Sequence, residues 1–431
     1  MLHPSRPSQS SRPPRPAARR RLPVLVPSSA AVLAVLTGCA APVSDAPAAD
    51  EPTVDTHGEI AGAEELAEPA VGLTSIDPAG RVSHLDLLDE STVDLGTVRA
   101  PAAVHTDGRY LFAADAAGVS IVDSGVWTWD HVDHFHYYRA QPALLGDVAG
   151  EGVATVATSN SSTTGGTGLF FPASGEAVLL DTEAMSTGEL VESFRLERTP
   201  GAGLVVPVGS FAAVASGDEV TVHTADGDEV AVHTADGAEA GEGVACVAPQ
   251  GTITTRVGAV IGCEDGALLL HVEEEQPVVE RIPYPDGVDA PRATAFANRE
   301  GRPRVAALAG TSGIWMLDTR DRTWTLLPAP EPLVQVTAVD DADANLLGLT
   351  PDGRVLVIDG ENGAARAASL PLVGASLTAG DAVTLVADQQ RAYLNGPAEQ
   401  RLWEIDFADA ARIAREFTPE RVPAFVAQTG R

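Results

Sequence analysis

The run G-x-V-x-V-x-D, or a close variant of it, recurs along this chain from residue 71 onward, and a strand repeated at a fixed interval limits the fold more than any other feature. Its clearest copies are Gly118 to Asp123, Gly175 to Asp181, Gly313 to Asp318, Gly353 to Asp359 and Arg401 to Asp406. Each stands third in a window made of a lead-in strand, a run ending at a turn, this run, and a polar outer strand. Windows open near Val71, Arg99, Ala140, Pro200, Gly243, Ala290, Leu333 and Ala375. Their spacing of about 43 residues is that of one four-stranded propeller blade. Gly-Asp, Asp-Gly and Asn-Gly turn signals separate the runs, and almost no segment before residue 405 has helical periodicity. The expected fold is therefore all-β: a β-propeller of about eight four-stranded blades, with seven as the alternative count. A repeated blade cannot bury its faces alone, so the array has to close into a ring. The first window lacks its innermost strand, and Pro423 to Gly430 is a strand left over at the far end. Ring closure by that C-terminal strand explains both.

Two segments precede the repeats. In residues 1–38, Arg6 to Arg21 form a positive n-region, Pro23 to Leu36 an apolar h-region, and Leu36-Thr37-Gly38-Cys39 has the small-residue pattern of a bacterial lipoprotein cleavage site. This predicts a signal peptide cut before Cys39 and lipidation of that cysteine, which places the protein outside the cytoplasm, anchored to the cell membrane. Residues 39–70, rich in Ala, Pro, Asp and Glu, read as an acidic, mostly disordered tether. The propeller domain is expected over residues 71–431.

The chain carries a formal charge of −32, and all 28 of its basic residues are arginine. Six of them, and none of the 60 acidic residues, precede Cys39, so a cleaved chain is more acidic still. Such a surface repels nucleic acid and draws cations toward it.

Cation chemistry concentrates in one stretch. Asp130 to Tyr138, D-H-V-D-H-F-H-Y-Y, packs three of the ten histidines and two carboxylates into seven positions, between Trp127 and Trp129 on one side and Tyr137 and Tyr138 on the other. Imidazole nitrogen and carboxylate oxygen suit Zn²⁺ and other borderline divalent ions, so His131, Asp133, His134 and His136 form a candidate ligand set. On a strand, the first pair faces one side and the second pair the other. One ion collects all four only from a loop or turn; otherwise two or three of them are completed from elsewhere, with His105 in the preceding window as a substitute. The alternative is a solvated polar loop without metal.

The tandem copies Glu219 to Asp228 and Glu229 to Gly237 bring His223 and His233 to equivalent strand positions, and read as a lengthened hairpin rather than a second metal site. With Cys39 lipidated, Cys246 and Cys263 remain; in an exported domain that even pair reads as a disulfide between adjacent strands of one window. No G-x-S-x-G, H-E-x-x-H, phosphate-cradling glycine loop or C-x-x-C occurs, so catalysis has no sequence support and an enzyme is not expected.

With these features together, the chain resembles the AztD family of exported zinc metallochaperones. The residues that carry the likeness are His57-Gly58, Gly62-Ala63-Glu64-Glu65, Ala67-Glu68-Pro69, the loop Asp130 to Tyr138, Gly262-Cys263-Glu264-Asp265-Gly266, Glu404-Ile405-Asp406 through Ala414-Arg415, and Thr429-Gly430-Arg431. The resemblance implies a β-propeller that holds Zn²⁺ and delivers it to the substrate-binding protein of an ABC zinc importer. The chain departs from the family at two places: Gln250 stands where a histidine commonly follows the first cysteine, and Pro200-Gly201-Ala202-Gly203 lacks a histidine. The expected site is therefore poorer in ligands than in relatives. Two other readings stay open: a metal-free propeller acting as an extracellular binding or scaffold module, and, on fold analogy alone, a propeller enzyme.

Overall fold

The computed structural model describes residue 60 and residues 62–130, 134–235 and 237–431. The expected signal peptide, Cys39 and most of the expected tether lie outside the described residues. Among those described, no helix is long and apolar enough to cross a membrane.

The fold is nearly all-β and built of antiparallel sheets, most of them four-stranded. Among the described residues, eight sheets follow one another along the chain, and a small three-stranded sheet stands outside the series. The second sheet shows the plan: Ala103–Thr106, Tyr110–Asp115 and Gly118–Asp123 lie side by side in sequence order, and Ala143–Ala149 forms the outer edge. The G-x-V-x-V-x-D run is third from the lead-in strand in this sheet. Its counterparts Glu176–Asp181, Val355–Asp359 and Arg401–Asp406 hold the same place in theirs.

Strand alternation explains how the sheets stack. Successive side chains point to opposite faces, so a strand with a sheet on either side must be apolar throughout. Gly166–Phe171 is buried at every position: Leu169 and Phe171 pack toward the second sheet, and Phe170 toward the fourth. Each such large side chain contributes about 2 kcal/mol or more by leaving water. Eight apolar clusters recur in this way, one between each pair of consecutive sheets. The eighth joins the last sheet to the first through Leu73, Tyr393, Leu402, Phe417 and Val426.

The leftover C-terminal strand joins the first sheet of the series. Phe425–Thr429 pairs antiparallel with Gly72–Ile76, from Gly72 opposite Thr429 to Ile76 opposite Phe425. A buried chain of polar groups reinforces the seam: Thr74 Oγ1 lies 2.9 Å from His84 Nδ1 and 3.1 Å from Thr429 Oγ1.

Several expectations need correction. The window boundary near Ala140 is misplaced, because Ala143–Ala149 still belongs to the second sheet, paired with Gly118–Asp123. What intervenes is an inserted hairpin, Val126–Asp130 with Phe135–Ala140. The stretch read as disordered tether contains a strand, Ala63–Leu66, which adds to that hairpin; its order comes from a partner distant in sequence, which local composition does not reveal. The tandem copies are not equivalent. Glu229–Val230 continues the fourth sheet, whereas Val232–His233 crosses to the fifth and pairs parallel with Val278. Two short helices, Thr182–Ser186 and Gly374–Ala379, interrupt the strands. The sixth sheet has three strands and the fifth six.

The disulfide between Cys246 and Cys263 is present, with the Cα atoms 5.1 Å apart. It does not join neighbouring strands of one sheet. Cys246 follows Gly243–Ala245, which pairs in the fourth sheet, while Cys263 ends Ala259–Cys263 in the fifth. The bond therefore staples two sheets, within the cluster that fills the gap between them.

Candidate metal site

The described part of the histidine-rich stretch, Asp130 and His134 to Tyr138, belongs to or adjoins the two strands of the inserted hairpin. In its register Trp127 lies opposite Tyr138, and Trp129 opposite His136. Alternation puts these four side chains on one face. Trp127 and Tyr138 are buried and stacked, with ring centroids 5.1 Å apart. The His136 ring packs 5.6 Å from Trp129 and 6.1 Å from Tyr138. A buried ion pair roots the column: Arg109 Nη2 lies 2.8 Å from Asp123 Oδ2, and the same guanidinium covers Trp127 at 3.9 Å. On the first sheet's side, Arg139 holds Asp86 at 2.6 Å.

This scaffold fixes His136, which is buried to all but 7 % of its surface. Its Nδ1 lies 2.7 Å from Oε1 of Glu65, on the added strand Ala63–Leu66. A carboxylate only accepts, so His136 donates from Nδ1, and the neutral ring keeps the lone pair of Nε2. That Nε2 faces His134 Nε2 at 2.8 Å, the rings meeting edge to face. Two imidazole nitrogens this close, one of them on a ring whose far nitrogen meets a carboxylate, are groups that could serve as two ligands of a divalent ion. Zn–N bonds of about 2.0–2.1 Å in a tetrahedron put two ligand nitrogens about 3.3 Å apart, so the pair has to open by roughly half an ångström. Glu65 engages the far side of His136 and is its partner, not a further ligand to the same ion. The carboxylate also leaves a trace on Tyr138, whose phenol is pushed up by desolvation first and by Glu65 second.

The other predicted residues distribute as follows. His131 and Asp133 lie outside the described residues, between the two strands of the hairpin. Among the described residues, no three His, Cys, Asp or Glu side chains are gathered closely enough to hold an ion. His105 is not brought to the His134–His136 pair. It sits on the lead-in strand Ala103–Thr106, with Nε2 3.4 Å from Thr158 Oγ1, in the wall of a cavity of about 280 Å³ that neither His134 nor His136 lines. His223 has both ring nitrogens engaged, Nε2 with Arg198 Nη2 and Thr221 Oγ1 at 2.9 Å and Nδ1 with the Gly227 carbonyl at 3.1 Å. His233 lies in the strand that crosses to the fifth sheet.

The cavity is bordered by the lead-in strands of several sheets and carries titratable groups that the sequence did not single out. Asp107 is buried, and desolvation pushes its carboxyl up to about 7, with Glu300 adding to the effect against the backbone N–H groups of Arg109 and Tyr110. Burial raises Glu300 as well, opposed by Arg431. Arg431 Nε lies 2.8 Å from Glu300 Oε2, an ion pair without hydrogen-bond alignment. His105 is water-accessible through the cavity, yet the surrounding protein desolvates its ring and, with Arg431, pushes it down to about 4.

Of the residues at the hairpin, sequence reasoning missed the role of Glu65. Its spacing from His136 in the chain says nothing; only the pairing of Glu65 with Tyr138 puts the two side chains on one face.

No protein-family model and no curated protein matches this chain. Two solved structures of AztD from Citrobacter koseri are similar to it in fold, each with a TM-score of 0.69 over 84% of this chain and 98% of that one, at 20% identity and, for the apo structure, 18%. The dihydro-heme d1 dehydrogenase NirN, in complex with DHE, matches with a TM-score of 0.52 and 16% identity over 85% of this chain and 76% of that one. The fold is thus of the AztD type.

Proposed function

We propose that this protein is a zinc-binding metallochaperone that takes up Zn²⁺ at the tip of the inserted hairpin and passes it to a partner outside the cytoplasm. The observation that carries the reading is the approach of His134 Nε2 to His136 Nε2, with Glu65 fixing the far nitrogen of His136. His134 and His136 supply two neutral nitrogen donors, and His131 and Asp133 the remaining two. Zinc is cargo here rather than a resident cofactor. A site on an exposed hairpin tip, with His134 itself exposed, lets a partner's ligands replace it stepwise, which a closed tetrahedral core site does not.

The finer features of the reading follow. The eight serial sheets and the eight clusters between them support an eight-bladed propeller closed by its C-terminal strand. The leader pattern supports a lipid anchor at Cys39 on the outer face of the membrane. The resemblance to AztD supports the substrate-binding protein of an ABC zinc importer as the recipient.

A second reading, a metal-free propeller acting as a binding or scaffold module, is favoured by the lack of a three-ligand cluster among the described residues. Calorimetric titration of residues 40–431 with Zn²⁺ after chelator treatment separates the two. A saturable one-ion isotherm supports the chaperone, and a flat titration supports the module.

A further inference from the structure

We infer that Glu65 is a positioning residue for the metal, and that the strand Ala63–Leu66 carries it to the hairpin for that purpose. The inference rests on the reading of His134 and His136 as zinc ligands.

The added strand contributes little else. It is four residues long, its burial pattern is intermediate at Ala63 and Leu66 and exposed at Glu64 and Glu65, and it supplies no residue to any of the eight apolar clusters. Its register is nevertheless well defined. Ala63, Glu64, Glu65 and Leu66 stand opposite Ala140, Arg139, Tyr138 and Tyr137. This puts Glu65 on the face of Tyr138 and His136, where it reaches diagonally to His136 Nδ1 at 2.7 Å.

The chemical consequence follows from the two ring nitrogens. With Nδ1 donating to a carboxylate, the Nε2 lone pair is the one left for the metal, the ring cannot flip, and the anion raises the basicity of the ligand. The aromatic walls, Trp129 and Tyr138, set the plane of the ring but exert no preference between its nitrogens. That preference comes from Glu65.

The test uses residues 40–431 and Zn²⁺ itself, with affinity read by competition against a chromophoric chelator and folding by circular dichroism. Four variants are compared with the parent: Glu65→Leu, Glu65→Gln, Glu64→Leu and the double variant His134→Ala/His136→Ala. Glu64 points to the opposite face of the same strand, so its replacement perturbs the strand without touching His136. Glu65→Leu is expected to weaken Zn²⁺ binding by about ten- to a hundredfold, the usual loss when such a partner is removed. Glu65→Gln keeps an acceptor for Nδ1 and is expected to fall between Leu and the parent, and Glu64→Leu to match the parent. If Glu65→Leu and Glu65→Gln both bind like the parent while the double histidine variant does not bind, the inference fails and the zinc reading stands. Equal weakening by Glu64→Leu and Glu65→Leu overturns it too, since the strand then matters and the carboxylate does not. If the double histidine variant binds as the parent does, both the inference and the reading beneath it fall.

Discussion

His134 and His136 bring their Nε2 atoms to 2.8 Å of each other. Two bare lone pairs would repel at that distance, so one nitrogen presents a proton to the other. Glu65 holds the Nδ1 proton of His136, so with a neutral His136 ring the donor is His134. On the zinc reading, an ion held between the rings would take the place of that proton, which His134 would have to give up. The two Nε2 atoms are thus already close, and on the zinc reading the neutral His136 ring already offers its Nε2 lone pair.

The disulfide should matter for stability, because it joins two sheets from within the apolar cluster between them. Its cysteines are 17 residues apart, and a closed loop of that size constrains the unfolded chain by about 3 kcal/mol. Replacing Cys246 and Cys263 together with serine is expected to lower the unfolding free energy by roughly 2–4 kcal/mol in denaturant titration. Mass spectrometry of the unreduced, exported protein should find no free thiol at either position; two free thiols would refute the bond.

His84 makes the seam between the first and last strands sensitive to acid. Its buried ring accepts or donates at Nδ1 with Thr74, and desolvation pushes the imidazole down to about 4, with Arg139 assisting and Asp86 opposing. The folded value lies below the unfolded one, so the unfolded state takes up the proton first. The stability this neutral ring contributes is complete above about 6.5 and is lost as the pH falls toward 4, a change on the order of 3 kcal/mol over the window. His84→Gln should reduce the loss of stability between pH 7 and pH 4.5 measured by thermal unfolding. Equal losses in parent and variant would show that other groups carry it.

Cys39 is expected to hold the protein at the membrane. Two or three acyl chains anchor stably where one holds only marginally. Cys39→Ser should release the protein from the membrane fraction or leave its precursor uncut, and unchanged processing and retention of the variant would exclude lipid attachment there.

The repeated antiparallel sheets were legible because they are written locally. The runs at Gly118, Gly313 and Arg401 each show their strand in their own residues, and so does the spare strand after Pro423, which pairs with the first sheet. The inserted hairpin was not legible as such. Phe135–Ala140 and Ala143–Ala149 are separated by only two residues of the chain, and their partners, Val126–Asp130 and Gly118–Asp123, assign them to different sheets. The glycine at 168 illustrates the same limit. A Cβ there would meet the Val205 carbonyl oxygen at 1.9 Å, a close approach of neighbouring sheets that no local pattern encodes. At the site, the clustering of His134 and His136 was visible in the sequence, and their pairing is what the fold adds. Glu65, 71 residues from His136, becomes a partner only through strand pairing. His105 falls in the central cavity because it sits on a lead-in strand, a position fixed by the order of strands within its sheet.

The most direct test of zinc binding at the hairpin is the calorimetric titration of chelator-treated residues 40–431 with Zn²⁺, run in parallel on the parent and on His134→Ala/His136→Ala. The double change removes no residue from the eight apolar clusters, so the β-rich circular dichroism spectrum should be unchanged. The parent is expected to bind one ion, more weakly as the solution is acidified because imidazole coordinates only when neutral. The variant is expected to show no such binding. A variant that binds Zn²⁺ with the parent's affinity and pH dependence would contradict the account and move the site away from the hairpin.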